Sequence, residues 1–136
     1  MSANVEANWV TGAGLRAAVV IHPSGHRCGY VGVPEGNPNH GKDYNDIDAE
    51  VHGGLTFAGG SKDYPVENDG LWWLGYDCAH LYDARDPELM SGEYKDLYDK
   101  GMLRSFELDE GSVIRTLEYC VSECESLAKQ LSEVTA

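Results

Sequence analysis

An apolar stripe near the C-terminus constrains this chain more than any other feature. Leu117, Val121, Cys124, Ala128 and Leu131 recur at spacings of four and three, while Arg115, Glu118, Glu125 and Lys129 fall on the other faces. Glu125 and Lys129 stand four apart, a favourable ion-pair spacing. Asp109 and Glu110 suit the positive end of a helix and Ser112 offers an N-cap, so a helix is expected over residues 112–133. Its stripe needs a surface to cover, and the rest of the chain supplies strands. Leu15 to Ile21 and Arg27 to Val33 flank the turn residues Pro23-Ser24-Gly25 and read as a hairpin. Gly29 and Gly32 mark a bulge or a close backbone approach.

Beyond the hairpin, Pro34 to Gly41 is a long loop with two prolines and two glycines. A third strand is expected from Asp46, bent at Gly53-Gly54 and continued by Leu55 to Ala58. Leu71 to Cys78 is the most apolar strand and is expected inside the sheet. Glu88 to Lys100 has room for one or two short helices, and residues 1–8 read as frayed. Strands first and a helix last predict an α+β domain. Its mostly antiparallel sheet has four or five strands, with the C-terminal helix packed on one face. At 136 residues, one domain spanning 1–136 is expected.

The formal net charge is −13. A surface so acidic argues against wrapping duplex nucleic acid or coating an anionic membrane. The chain has no apolar run long enough to span a bilayer, and its polar start does not read as a signal peptide. The four cysteines, Cys28, Cys78, Cys120 and Cys124, form no Cys-x-x-Cys pair. They are expected as reduced thiols in a cytoplasm. A homo-oligomer is compatible with all of this.

Two stretches carry the chemistry. From Asp46 to His52 polar and apolar residues alternate, which on a strand puts Asp46, Asp48, Glu50 and His52 on one face. Carboxylates so placed suit acid–base work, ligand hydrogen bonds or a divalent metal, or form the solvated face of an edge strand. His52-Gly53-Gly54 allows a tight turn whose N–H groups face an anion, with the Thr56 hydroxyl nearby. The second stretch runs from Leu71 to His80. Asp77 and His80 would share a face if the chain turns helically, and an Asp–His pair orients an imidazole as a proton carrier. Trp73 beside Gly75 offers a flat ring for stacking, or simply packs in the core. His22 and His26 flank the first turn. Arg27 is a basic group in an acidic chain and a candidate phosphate partner.

Four stretches together resemble a family of small uncharacterised proteins encoded by tailed bacteriophages. They are Arg27-Cys28-Gly29-Tyr30-Val31-Gly32-Val33-Pro34, Gly41-Lys42-Asp43-Tyr44, Val51-His52-Gly53-Gly54-Leu55-Thr56 and Trp73-Leu74-Gly75-Tyr76-Asp77-Cys78-Ala79-His80. The terminal helix is similar too, and the resemblance spans residues 15–131. It carries no catalytic roles, but it implies a protein made in an infected bacterial cytoplasm. By analogy of context, the expected function is an anti-defence protein binding a small nucleotide-type ligand, such as a cyclic nucleotide or an ADP-ribose-derived immune signal. His52, Asp77 and His80 would make polar contacts, with Gly53 and Gly54 on phosphate and Trp73 stacking. One alternative is a hydrolase of such a nucleotide. There His52 or His80 is the acid–base group, oriented by Asp48, Glu50 or Asp77, with or without a metal. The other is an acidic inhibitor that binds a basic protein.

Overall fold

The computed structural model describes residues 4–79, 83–101 and 113–132. Strands β1 (Val5–Val10), β2 (Arg16–Ile21), β3 (Arg27–Val33), β4 (Phe57–Gly59) and β5 (Trp72–Asp77) form one sheet in the order β1-β2-β3-β5-β4. Every pairing in it is antiparallel. Two further two-residue strands, β6 (Asp83–Ala84) and β7 (Val113–Ile114), pair in parallel beside it. Helix α1 (Gly92–Asp99) follows a single helical turn at Pro87–Leu89, and α2 (Leu117–Ser132) closes the described chain. This is the expected α+β architecture.

The stripe of α2 covers the sheet but is rotated from the expected set, since Val121 stays half-buried outside the core while Cys120 and Leu127 enter it. Cys120, Cys124, Leu127, Ala128 and Leu131 are buried against Ala17 and Val19 of β2, Val31 and Val33 of β3, and Leu74 and Tyr76 of β5. Those strand residues alternate along their strands, as one face of a pleat requires. The opposite face is also covered. Ala18, Val20, Tyr30 and Trp73 pack beneath Val66, with Tyr64, Phe57 and Leu71 at the margin. The 60–70 loop thus serves as a second layer.

Glycine and tyrosine alternate across the β3–β5 ladder. Gly29 faces Tyr76 and Tyr30 faces Gly75. A Cβ on Gly75 would stand 2.6 Å from the Tyr30 ring, and one on Gly29 would collide with the Tyr76 ring. Each glycine is therefore the slot for the aromatic ring opposite, which is the close approach that Gly29 signals rather than a bulge.

Three local expectations are corrected. Residues 5–8 are not frayed. They belong to β1, an edge strand tied down by Glu6, which accepts from Arg27 Nε at 2.6 Å, and by Trp9, whose Nε1 donates to Glu125 at 2.7 Å. The Glu125 carboxylate, expected beside Lys129, also accepts from the Gly12 N–H at 2.9 Å. Helix α2 begins at Leu117, five residues later than expected. Thr116 caps it, its hydroxyl accepting from the Tyr119 N–H at 3.1 Å, while β-branched Val113 and Ile114 pair with β6. The proposed cap Ser112 lies outside the described residues.

The third correction concerns the acidic stretch. Asp46 ends a single helical turn at Tyr44–Asp46, residues 47–51 belong to no strand, His52 lies in a turn, and the strand expected here is reduced to β4. The alternation survives for a different reason. Ile47, Ala49 and Val51 pack on the α2 side of the core, leaving Asp46, Asp48 and Glu50 exposed. Where a neighbouring strand would pair, the Gln130 side chain substitutes. Its Oε1 accepts from the Glu50 N–H and its Nε2 donates to the Glu50 carbonyl, both at 2.7 Å.

Candidate functional site

The segment 47–52 runs along α2, and at its end His52 turns inward and is buried. His52 does not share the exposed face of Asp48 and Glu50. Its Nε2 lies 2.8 and 3.0 Å from the two carboxylate oxygens of Asp83, and its Nδ1 lies 2.7 Å from the Tyr119 hydroxyl. An ionised carboxylate only accepts, so Nε2 carries a proton, and in the neutral ring Nδ1 accepts from the phenol. Asp83 is itself buried and accepts from Arg115 Nε at 2.7 Å. That bond raises the Arg115 pKa. The guanidinium also lies 5.1 Å from the centre of the Tyr119 ring. Burial first, then the Glu123 charge, raises the Tyr119 pKa, so the phenol holds its proton.

The result is a chain of polar groups, Arg115–Asp83–His52–Tyr119, running from β6 to the first turn of α2. Two of its members are fully desolvated and the phenol at its end is half-buried. The core chose these partners. β5 leads towards Asp83, β7 presents Arg115, and α2 docking on the sheet brings Tyr119 over His52.

The expected site residues fall into three groups. His52 is at the centre, but its carboxylate partner is Asp83 rather than Asp77. Asp77 is engaged nearby, accepting from the Thr56 hydroxyl and the Ala79 N–H, each at 3.1 Å. His80 lies outside the described residues. Gly53 and Gly54 have the expected left-handed backbone, with φ of 68° and 84°. The turn is already supplied with an anion, since Glu123 accepts from the His52 N–H at 2.7 Å and Val51 accepts from the Gly54 N–H at 2.8 Å. Trp73 is wholly buried and cannot stack on a ligand. Arg27 is a tie rather than a phosphate contact, bound to Glu6 and donating to the Arg115 carbonyl at 2.8 Å. Asp48 and Glu50 point to solvent away from His52. Among the described residues no group of three or more His, Cys, Asp or Glu is placed to hold a metal ion, and the exposed Asp46, Asp48 and Glu50 fit the solvated-face reading of this stretch.

Asp83, Arg115, Tyr119 and Glu123 escaped the sequence reading. One signal for Arg115 was present. It is a cation in a very acidic chain, the argument already applied to Arg27. Asp83 gave none, because it sits in a polar stretch without periodicity.

An imidazole pair stands at the β2–β3 turn. His22 and His26 stack with ring centres 4.6 Å apart, and the Ser24 hydroxyl bridges their Nδ1 atoms. Burial, then the neighbouring His22 ring, lowers the His26 pKa to about 4. An unfolded histidine titrates near 6.5. Between those values the unfolded chain takes up a proton that the folded chain refuses, so stability is full above about pH 6.5 and falls as the pH drops towards 4. Urea denaturation from pH 7 to 4.5 should show a steeper loss for the wild type than for His26→Gln, and equal slopes would rule out this contribution.

No thiols are cross-linked: all four cysteines are free. Cys78 and Cys120 lie with sulfurs 3.7 Å apart in the core. Among the described residues no helix is long and apolar enough to cross a membrane. No protein-family model, no curated protein and no solved structure matches the chain, so the geometry of the site carries the functional argument.

Proposed function

We propose that this protein acts on a small nucleotide-type molecule, and that Tyr119 is the group that meets it. The substrate class is a cyclic nucleotide or an ADP-ribose-derived immune signal, and the setting an infected bacterial cytoplasm; both rest on the resemblance to phage-encoded proteins. The observation that carries the chemistry is the continuous hydrogen-bonded path from buried Asp83 through His52 to the half-buried Tyr119 hydroxyl. Buried polar groups are costly, and this one leads to the surface.

The path works as a proton relay. When the His52 ring is doubly protonated, both nitrogens donate, one to Asp83 and the other to the Tyr119 oxygen. The phenol hydrogen then turns outward, towards the oxygen of a departing phosphate or sugar group. As water attacks the phosphorus or anomeric carbon and the bond to the departing oxygen breaks, that oxygen takes the phenol proton, Nδ1 replaces it, the ring returns to the neutral form, and the proton lost by the water passes to solvent. Asp83 stabilises the charged ring, and Arg115 lies beside the phenol to oppose negative charge on it. Of the sequence alternatives, this geometry favours the hydrolase over a pure sponge, because the proposed stacking ring, Trp73, is wholly buried while the relay reaches the half-buried Tyr119 hydroxyl.

Tyr119→Phe tests the reading with little change in shape. Incubation with cyclic dinucleotides and ADP-ribose derivatives, followed by chromatography, should show new products for the wild type. Tyr119→Phe should be slower by about 10²–10⁴-fold, the usual worth of a positioned acid or base. Products formed equally fast by both proteins would reduce the relay to a structural clamp. Ligand recovered intact from the wild type, with a raised melting temperature, would make the protein a binder.

A further inference from the structure

We infer that Arg27 is a positioning residue for the relay, holding the main chain from which Arg115 and Tyr119 reach Asp83 and His52. This role rests on the reading of Asp83, His52 and Tyr119 as a proton path, and adds a fixed point outside that path. Arg27 stands 88 residues before Arg115, at the start of β3. Its side chain is only 11% exposed, so its donors must find partners inside the protein.

All three guanidinium nitrogens find them. Nε and Nη2 donate to the two Glu6 oxygens at 2.6 and 2.9 Å, and Nη1 donates to the Arg115 carbonyl at 2.8 Å. Glu6 balances the charge of Arg27, so the fork sits beside the Arg115 main chain without adding a bare cation to that of Arg115. The main chain of Arg27 is held as well. It pairs with Ile21 of β2, and its carbonyl accepts from the Cys78 N–H at 2.9 Å, where β5 ends. Arg27 is thus built on paired strands, the kind of support that keeps a site precise.

Arg115 needs such support. It lies between the two-residue strand β7 and the start of α2, and so short a ladder does little to fix a backbone. Arg27 holds its carbonyl and Asp83 holds its Nε, so main chain and side chain are tied to different elements. The next residue, Thr116, caps α2 through the Tyr119 N–H. Displacing the Arg115 carbonyl therefore shifts the Arg115 guanidinium against Asp83 and the Tyr119 hydroxyl against His52 Nδ1, two bonds of 2.7 Å each. Lysine cannot take over this role. Its single nitrogen on a flexible stem lacks the planar fork that reaches two Glu6 oxygens and the Arg115 carbonyl at once.

Two readouts on the full chain test the role of Arg27. The first needs no substrate. It is the rate at which the His52 Nε2 proton exchanges with water, followed by nitrogen-resolved NMR at neutral pH. Arg27→Lys is expected to speed exchange about tenfold, and Glu6→Gln, which keeps one acceptor for the fork, to speed it less. Arg16→Lys is the control, because Arg16 also ties strands together, donating to Asn8 Oδ1 at 2.9 Å and to the Glu67 carbonyl at 3.0 Å, at the β1 edge and the 60–70 loop. Its exchange rate should be that of wild type. The second readout is turnover, where Arg27→Lys should lower kcat about tenfold with KM unchanged, since the proton donor is misplaced and the substrate untouched. A wild type without turnover ends the hydrolase reading and leaves exchange to decide on Arg27. If Arg27→Lys does not fold, Glu6→Gln carries the exchange test. The role is overturned if exchange in both variants matches wild type, or if the proton is too labile to observe in the wild type, which leaves no relay to position. It is overturned equally if Arg16→Lys speeds exchange as much as Arg27→Lys, a sign of general loosening, or if kcat is unchanged in Arg27→Lys while the wild type turns over.

Discussion

Asp83→Ala should destabilise the protein by about 3–5 kcal/mol, the usual result of removing one partner from a buried ion pair. The Asp83 side chain is 0% exposed and answers both His52 and Arg115. Without it the bonds accepted from His52 Nε2 and Arg115 Nε are lost inside the core. The small β6–β7 ladder and the first turn of α2 lose a shared anchor as well. Urea denaturation followed by tryptophan fluorescence reads the effect as a lower midpoint with the slope retained. Asp83→Asn keeps the shape without the charge and should fall between wild type and alanine. A loss below about 1 kcal/mol for Asp83→Ala would show that the relay is not formed in solution. Tyr119→Phe separates catalysis from folding, since the phenol sits at the half-buried end of the path and its ring packing is kept.

A second large effect is expected at Trp73, and it separates two roles for this residue. Trp73→Ala removes a wholly buried ring between Tyr30, Val20 and Val66 and should cost about 3–5 kcal/mol. Trp73→Phe should cost much less. It gives up part of the ring volume but also removes an Nε1–H that has no partner in the core. Neither substitution should alter turnover at temperatures where the variant is folded, because the ring lies on the sheet face opposite α2 and the His52 site. Thermal melts paired with activity assays check both parts. A Trp73→Phe variant of wild-type stability and abolished turnover would restore the stacking role that burial removes.

The 47–52 segment divides between solvent and core, although its alternation reads as one site. Its carboxylates and its imidazole share a parity in sequence. In the folded chain, Asp48 is exposed, whereas His52 enters the core beside the first turn of α2. Strand alternation keeps residues on one face only while the segment stays in a ladder. Here Gln130 holds Glu50, Glu123 holds His52, and the chain rotates between them.

What the sequence determined by itself was periodic. The helical stripe from Leu117 to Leu131, the hairpin around Pro23-Ser24-Gly25 and the buried strand at Trp72–Asp77 follow from local spacing and turn chemistry, and so does the α+β class. His52 and the left-handed turn at Gly53-Gly54 were legible for the same reason. The tertiary structure alone decided what His52 touches. Asp83, Arg115 and Tyr119 lie 31, 63 and 67 residues further along the chain, and no local pattern links residues that far apart. They meet because burying the α2 stripe on the sheet fixes where Tyr119 and β7 must lie. Edge strand β1 was hidden likewise, its hold on the sheet coming from Arg27 and Glu125, both distant in sequence. Short-range backbone preferences are written in neighbouring residues, whereas a polar site inside a core is set by how the layers close over it.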